Sequence, residues 1–309
     1  MGNKAILFSG QGAQFVGMGK DLAEAYPESK ALFDRANEVL GYSLSGICFE
    51  GPEESLTRSD YCQPAIFVTS MACYAALRTE CPDLEFAGAA GLSLGEWTAL
   101  HMAGALSFED TLKVLEARGR FMQEACEERE GGMVSVIGLP EDKVREIAAA
   151  AGAEVANLNS PAQTVLAGPK DVVAEAERLA QEAGAKRAIV LNVAGAFHSS
   201  LMQSAADRLQ SVLNDVDVVA PSLPVASNFT GGQHGGPDDI RRAMLGQISG
   251  SVQWYACVQW LGQQGVDTFV ECGPGRVLTG LIKRIDKTVG LHNVQDCETL
   301  KKTAEALQA

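Results

Sequence analysis

The 309-residue chain is short of several features, and each shortage excludes a class of protein. Lys and Arg total 25 against 39 Asp and Glu, a formal net charge of −14, so the surplus of cations that nucleic acid binding needs is missing. No apolar run approaches the roughly 18–20 residues that a transmembrane helix requires. Hydrophobic residues nevertheless make up 46% of the chain, which excludes a disordered protein. We therefore expect a globular protein that binds neither nucleic acid nor membrane.

The eight cysteines form no CxxC pair, and their spacing is irregular. This pattern argues against a metal framework. A chain of this length buries a large core and needs no disulfide for stability. We expect reduced, mostly buried thiols in a cytoplasmic protein. The first residues are typical of a short strand, so we expect no secretory signal.

Short apolar runs alternate with amphipathic helices along most of the chain. Ala5–Phe8, Phe86–Ala90, Val225–Asn228 and Thr268–Glu271 are predicted as strands. Such alternation predicts an α/β protein whose large sheet is mainly parallel and covered by helices.

The pattern changes between residues 131 and 195. A strand, a helix, two strands, a helix and a strand follow one another within about 60 residues, which is the order of a ferredoxin-like unit. The sequence therefore predicts a small inserted domain at 131–195 and a large domain formed by 1–130 and 196–309.

A Gly-x-Ser-x-Gly sequence at Gly91–Gly95 lies between a predicted strand and a predicted helix. This is the setting of a nucleophile elbow, in which two glycines allow a tight turn and Ser93 projects from the sheet edge. The following helix directs backbone N–H groups at the same point. A chance match is the alternative, because the chain contains 32 glycines.

A serine nucleophile needs a base, and the chain has four histidines. His198 opens a helix just after the last strand of the small domain and is the best placed, with a packing or capping role as the alternative. His101 lies too far along its helix to reach back to Ser93, and we expect His234 and His292 to be solvated. A neutral imidazole can take the serine proton near pH 7.

One cation lies on the apolar face of its helix. On a helical wheel of the segment 108–127, Arg118 falls within the arc of Leu, Val, Phe and Met side chains. A guanidinium is costly to bury without an anion, so Arg118 is a candidate clamp for a substrate carboxylate. A snorkelling side chain and a pair with a structural acid are the alternatives.

Blocks of sequence from residue 5 to about 285 resemble, in order and spacing, those of malonyl-CoA:acyl carrier protein transacylases. The blocks are Gly10–Gln14, Gln63–Ala65, Gly91–Glu96, Arg118-Gly119 with Met122-Gln123, Asn159–Pro161, Ala196–His198, Val252–Trp254 and Gly273–Gly275. The resemblance implies an α/β-hydrolase-like large domain that carries a ferredoxin-like small one.

The resemblance also implies catalytic roles. Ser93 would be the acylated nucleophile, and His198 would be the general base and acid. Arg118 would bind the malonyl carboxylate. The main-chain carbonyl of Gln247 would orient the histidine, in place of the Asp of a hydrolase triad.

Further roles follow for the groups around the nucleophile. The backbone N–H groups of Gln11 and Leu94 would form the oxyanion hole. Gln63 and Phe197 would line the pocket, and phenylalanine before the catalytic histidine goes with a preference for malonyl groups in related acyltransferases.

The chain departs from the family pattern at two places. Leu92 stands where the family usually has histidine before the nucleophile, which removes a polar group near the pocket. Gly250-Ser251 replaces a common Asn-Pro pair before Val252. We expect these changes to affect pocket hydration and one loop, and to leave the nucleophile and base in place.

The implied reaction moves a malonyl group from malonyl-CoA through malonyl-Ser93 to the phosphopantetheine thiol of a separate acyl carrier protein, in fatty acid biosynthesis. It requires no metal or redox cofactor. A trans-acting polyketide synthase acyltransferase or a proofreading acyl hydrolase would share almost every motif. A serine hydrolase of neutral esters would have no use for a buried cation, and a catalytically silent docking protein would not be acylated.

An acidic carrier protein would need a basic patch on this acidic chain. Arg276, Lys283, Arg284 and Lys287 form the densest late cluster of cations. A solvated helix face is the alternative interpretation of the same residues.

Overall fold

The computed structural model describes residues 3–308. Residues 1, 2 and 309 of the predicted large domain lie outside this range. The strands are β1 Asn3–Phe8, β2 Gly88–Gly91, β3 Gly132–Ile137, β4 Glu154–Ser160, β5 Gln163–Gly168, β6 Arg187–Val190, β7 Val266–Cys272 and β8 Gly290–Val294. No helix in the described part of the chain has both the length and the apolarity to cross a membrane.

The helices cover both sheets and fill the connections between strands. They are α1 Lys20–Ala25, α2 Pro27–Leu40, α3 Leu44–Glu50, α4 Glu53–Thr57, α5 Ser59–Glu80, α6 Leu94–Met102, α7 Phe108–Glu128, α8 Glu141–Ala151, α9 Lys170–Glu182, α10 Gln203–Asn214, α11 Pro237–Ser249, α12 Trp254–Gln263, α13 Val277–Ile285 and α14 Cys297–Gln308. A 3₁₀ turn at Ser200–Met202 precedes α10.

The large sheet is parallel throughout and has the order β2-β1-β7-β8. Its central strand β1 is buried on both faces because Ile6 and Phe8 join the apolar cluster that includes α5, whereas Ala5 and Leu7 join the one formed with α12 and α13. The predicted α/β class with a mainly parallel sheet is therefore confirmed. Strand β8 and helix α14 extend the structure beyond the predicted elements.

The small sheet is antiparallel, with the order β4-β5-β3-β6. Helices α8 and α9 pack on it through apolar residues such as Val144 and Val173, which gives the ferredoxin-like arrangement. An isolated bridge joins Asn157 on β4 to Val252 in the large part of the molecule. The boundaries at 131 and 195 stay a prediction, supported by this separation of the two sheets.

The predicted strand Val225–Asn228 is wrong. Its first residue makes one isolated parallel bridge, to Ala89 on β2. Its last residue turns inward, and the Asn228 side chain hydrogen-bonds to the backbone of Gly91 and Ser93. The second residue, Ala226, bridges antiparallel to Gln233, so the segment makes isolated bridges to two different partners and forms no strand.

All eight cysteines are free, and seven of them are buried. Burial raises the pKa of every one of these thiols, because a thiolate is costly to hold away from water. The prediction that most of these cysteines lie in the core is confirmed, and their reduced state stays a prediction.

Candidate active site

Ser93 lies in a strained turn between the end of β2 and the start of α6, with φ 54° and ψ −106°. The turn brings backbone into close contact, so that a Cβ on Gly91 would collide with the backbone of Gly95, and one on Gly95 with the carbonyl of Phe8. Only glycine allows this approach on both sides of the serine. The local sequence therefore forces the serine into a sharply turned, half-buried position at the end of β2.

Asn228, from a distant part of the chain, stabilises this turn through two side-chain hydrogen bonds. Its Oδ1 accepts a hydrogen bond of 2.7 Å from the Ser93 N–H, and its Nδ2 donates to the Gly91 carbonyl at 2.9 Å. The residue is fully buried. Sequence reasoning missed this role, because Asn228 looked like the end of a strand.

His198 shares the unusual backbone of Ser93. Within residues 3–308, these two are the non-glycine residues with positive φ, 58° at His198. Left-handed backbone in a side-chain-bearing residue is uncommon and concentrates at functional sites. The structure thus marks two of the predicted residues by a property that the sequence does not reveal.

The imidazole of His198 is oriented by main chain. Its Nδ1 lies 2.7 Å from the Gln247 carbonyl oxygen, in α11. Because a carbonyl can only accept, Nδ1 carries the proton and Nε2 is left with its lone pair. Burial, reinforced by the positive charge of Arg118, lowers the pKa of His198 to about 4. The ring is therefore neutral at pH 7 and can accept a proton.

Arg118, on α7, is 1% exposed. Its Nη1 donates to Gln63 Oε1 at 2.6 Å, and its Nη2 donates to Ser93 Oγ and Gln247 Oε1, both at 3.0 Å. All three acceptors are neutral, and Nε has no partner among the described residues. Burial lowers the pKa of Arg118 to about 10, so the group is still charged at pH 7. These contacts contradict the snorkelling alternative, and no acid among the described residues pairs directly with Arg118, although the buried carboxylate of Glu96 partly offsets the effect of burial on its pKa.

The Ser93 hydroxyl is held by Arg118 and not by His198. Within the described residues, Oγ accepts from Nη2 of Arg118 and makes no hydrogen bond with the imidazole. Catalytic hydrogen bonds commonly tighten only when substrate is bound. An anion bound to Arg118 would compete for Nη2 and free the hydroxyl for the base.

The backbone groups expected to bind an oxyanion lie at the same edge of the large sheet. Leu94 is the first residue of α6, where an N–H has no partner within the helix. Gln11 lies in the turn after β1, next to the Ser93 turn, since a Cβ on Gly10 would lie 2.6 Å from the Leu92 carbonyl oxygen. Parallel strands that end together thus bring both turns to one point.

The two predicted lining residues are both buried beside these groups. Gln63, on α5, accepts a hydrogen bond from Arg118 through its Oε1. Its Nε2 donates to Gln11 Oε1 at 3.4 Å. Phe197 is 7% exposed and directly precedes the base.

The two departures from the family pattern leave this arrangement in place. Leu92 is half-buried and packs against the apolar cluster formed with α12 and α13. The Gly250-Ser251 loop is tied to β4, because Ser251 Oγ donates to the Val155 carbonyl at 2.5 Å and the next N–H donates to Ala156 at 2.8 Å.

None of the other histidines, all in the described part of the chain, hydrogen-bonds to Ser93. His101 bonds the Leu106 carbonyl through Nδ1, and His292 is half-buried on β8. The expectation of a solvated His234 is wrong: it is 5% exposed, because its glycine-rich loop folds inward and His234 N–H donates to the Val225 carbonyl. Within residues 3–308, no group of three or more His, Cys, Asp or Glu side chains could hold a metal ion.

Comparison with known proteins agrees with this geometry. The acyl transferase domain family matches residues 6–303. The chain belongs to the acyl transferase family. The malonyl CoA-acyl carrier protein transacylase of Bacillus subtilis (strain 168) is 40% identical over 313 residues, covering 100% of this chain and 98% of the relative. The resemblance inferred from the sequence blocks is confirmed.

Solved acyl transferases share the whole fold. The malonyl CoA-acyl carrier protein transacylase of Clostridium perfringens ATCC 13124 superposes with a TM-score of 0.95 at 39% identity, covering 99% of this chain and 97% of that one. A malonyl-transacylase in complex with its holo type II PKS acyl-carrier protein superposes with a TM-score of 0.93 at 38% identity. The match covers 98% of this chain and 99% of that one.

Proposed function

We propose that this acyltransferase moves the malonyl group of malonyl-CoA to the phosphopantetheine thiol of an acyl carrier protein, through an ester on Ser93, for fatty acid biosynthesis. Arg118 carries the proposal: it is a buried cation with neutral acceptors only, and one of them is the Ser93 hydroxyl. Such a cation suits an acyl group that brings its own anion. The relatives named malonyl CoA-acyl carrier protein transacylase support the same substrate.

In the first half-reaction, Ser93 Oγ attacks the thioester carbonyl while Nε2 of His198 takes the hydroxyl proton. The resulting oxyanion accepts hydrogen bonds from the backbone N–H groups of Gln11 and Leu94. The C–S bond then breaks, and the imidazolium returns the proton to the sulfur of coenzyme A. In the second half-reaction the carrier thiol attacks the malonyl ester, His198 takes the thiol proton, and the proton returns to Ser93.

The position of Arg118 limits the length of the acyl group. Its Nη2 is 3.0 Å from Ser93 Oγ, the atom that becomes acylated. A carboxylate separated from the ester carbonyl by one methylene can fold back to a guanidinium at this distance. A neutral acetyl group offers Arg118 no anion.

Mixing the protein with malonyl-CoA, with and without a holo acyl carrier protein, tests the proposed function. We expect malonyl-carrier and free coenzyme A when the carrier is present, and a stable malonyl-enzyme without it. Rapid release of malonate without the carrier would instead identify an acyl hydrolase. If no acyl-enzyme forms, the protein is not an acyltransferase and a docking function is favoured instead.

Service to a polyketide synthase is a second candidate function. It is favoured by the similarity to a malonyl-transacylase in complex with a type II PKS acyl-carrier protein. Transfer rates to a fatty acid carrier and a polyketide carrier, measured side by side, distinguish the two. We expect the higher kcat/KM with the fatty acid carrier.

Acylation by malonyl-CoA should stay fast down to about pH 5 and fall to half near pH 4 in the free enzyme, because His198 must be neutral to accept the proton. A bound malonyl carboxylate offsets the charge of Arg118 and should move this midpoint to higher pH. Rapid-quench acylation rates at limiting and saturating malonyl-CoA check both statements. Acetyl-CoA is the control, since it brings no carboxylate and should show the low midpoint at both concentrations. A midpoint near the ordinary histidine pKa with both substrates would contradict the prediction.

The basic cluster near α13 is exposed at all four positions, and Arg284 also bonds Gln163 of β5. We expect the double change Lys283→Glu and Arg284→Glu to raise the KM for the carrier about fivefold to tenfold, because each charge at the rim of a docking surface contributes up to about 1 kcal/mol. The rate of acylation by malonyl-CoA should not change. Steady-state kinetics with varied carrier provide the measurement.

The control for this charge reversal is Lys113→Glu with Lys301→Glu, two exposed lysines on α7 and α14. It changes the net charge equally and should leave the carrier KM unaltered. If both double variants behave alike, the carrier docks elsewhere.

We also propose a cytoplasmic location. Eight free thiols support it, since such thiols persist in reducing compartments.

A further inference from the structure

A buried acid–imidazole pair lies behind the proposed active site. Glu96, the third residue of α6, is fully buried, and its Oε1 is 2.6 Å from His234 Nε2. Its Oε2 accepts a hydrogen bond of 2.5 Å from Gln247 Nε2. The pair therefore contacts Gln247, whose side-chain oxygen accepts from Arg118 and whose main-chain carbonyl bonds His198. Neither Glu96 nor His234 hydrogen-bonds to the Ser93 hydroxyl.

The pair fixes which way the Gln247 amide faces. A carboxylate only accepts hydrogen bonds and a guanidinium only donates them. With Nε2 directed at Glu96 and at the Ser93 carbonyl, Oε1 must face Arg118, which donates to it at 3.0 Å. A flipped amide would set two donors against each other at Arg118 and two acceptors at Glu96.

His234 keeps the carboxylate in that orientation. To donate to Glu96, the ring Nε2 of His234 must carry a proton, and the loop that carries the ring is held by a hydrogen bond from the His234 main-chain N–H to the Val225 carbonyl. Without this donor, one oxygen of a fully buried carboxylate would lack a partner, which is costly in a site closed to water. Glu96 would then rotate toward another donor, and its hydrogen bond to Gln247 would weaken.

We propose that Glu96 and His234 are positioning residues that set the acyl specificity of this enzyme by orienting the Gln247 amide toward Arg118. This inference rests on the proposed malonyl transfer. The orientation of His198 does not depend on the pair in the same way, because its partner is the main-chain carbonyl of Gln247, which α11 holds in place. The pair therefore governs carboxylate binding more than proton transfer.

The test compares His234→Leu with wild type for malonyl-CoA and acetyl-CoA. Loss of the donor should raise the KM for malonyl-CoA and lower the malonyl-to-acetyl preference about tenfold, the range expected for a hydrogen bond to a charged group. The kcat/KM for acetyl-CoA should change by less than about twofold, since acetyl makes no use of Arg118. His234→Gln, whose amide can donate to Glu96, should restore the preference.

Two more variants guard against a purely structural effect. Glu96→Gln keeps the shape of the side chain and should lower the preference even if His234→Leu fails to fold. His101→Leu removes a half-buried imidazole on α6, which bonds Leu106 and packs on Phe67 and Phe108, and should leave the preference unchanged. Equal losses for malonyl-CoA and acetyl-CoA, or an unchanged preference in Glu96→Gln, would overturn the proposal.

Binding of free malonate, measured by calorimetry, gives the same comparison without turnover. We expect weaker binding to His234→Leu than to wild type or His101→Leu. A wild-type protein that binds malonate but forms no malonyl-enzyme would refute the proposed function and leave the positioning proposal standing. Equal malonate affinity in all three would refute the positioning proposal alone.

Discussion

Replacing Ser93 by alanine should abolish malonyl transfer, with a fall in kcat of roughly 10⁴-fold or more, as when other serine nucleophiles are removed. The change deletes the only atom that the mechanism acylates. The surroundings should persist, because the Asn228 contact uses the backbone N–H of residue 93 and Arg118 keeps its two glutamine acceptors. Intact-mass and peptide mass spectrometry after brief mixing with malonyl-CoA measure the result.

Ser29→Ala is the matched control for this experiment. Ser29 is also fully buried, and its hydroxyl donates to the Ala72 carbonyl far from the site. It should cost some stability, about 1 kcal/mol, and leave acylation intact. A malonyl group found on another residue of the Ser93→Ala protein would refute the assignment of the nucleophile.

Arg118→Ala should reverse much of the preference for malonyl-CoA over acetyl-CoA, lowering the ratio of their kcat/KM values by roughly 10²–10³-fold. Two charge-assisted hydrogen bonds from a buried guanidinium to a carboxylate account for a loss of this size. Acetyl transfer should survive, since it depends on Ser93 and His198. Stopped-flow or coupled assays with both thioesters give the ratio directly.

The planar pair of N–H donors of the Arg118 guanidinium can be tested separately from its positive charge. Arg118→Lys keeps a cation but loses the planar pair of donors, so its preference should fall between those of wild type and Arg118→Ala. Arg120→Ala, an exposed position two residues further along α7, should leave the ratio unaltered. An unchanged ratio in Arg118→Ala would remove the carboxylate clamp from the mechanism.

Helical periodicity was enough to single out Arg118. The predicted helix 108–127 matches α7, Phe108–Glu128, and a regular helix fixes which side chains face inward. Glu96 carries the same signal, because it is one acid among Leu94, Trp97 and Leu100 on a short apolar helix. The sequence therefore indicates an inward-facing charge at both positions.

The contacts that join these side chains could not be read from the sequence. The Gln247 amide meets Ser93 from 154 positions away, and that contact depends on how α11 packs against α6. The inward turn of the loop at His234 depends on glycines and isolated bridges, which carry no periodic pattern. The inward turn at Asn228 has no periodic pattern either, so the sequence predicts a strand end there.

The free cysteines have a consequence for an enzyme that handles thioesters. Both proposed partners of Ser93, coenzyme A and phosphopantetheine, are thiols, and transthioesterification requires a thiolate. Seven of the eight sulfurs are buried, and burial raises the pKa of every one of these thiols, which disfavours the thiolate that would have to attack a malonyl thioester. We therefore expect the hydroxyl of Ser93, and not a cysteine of the same chain, to take the acyl group.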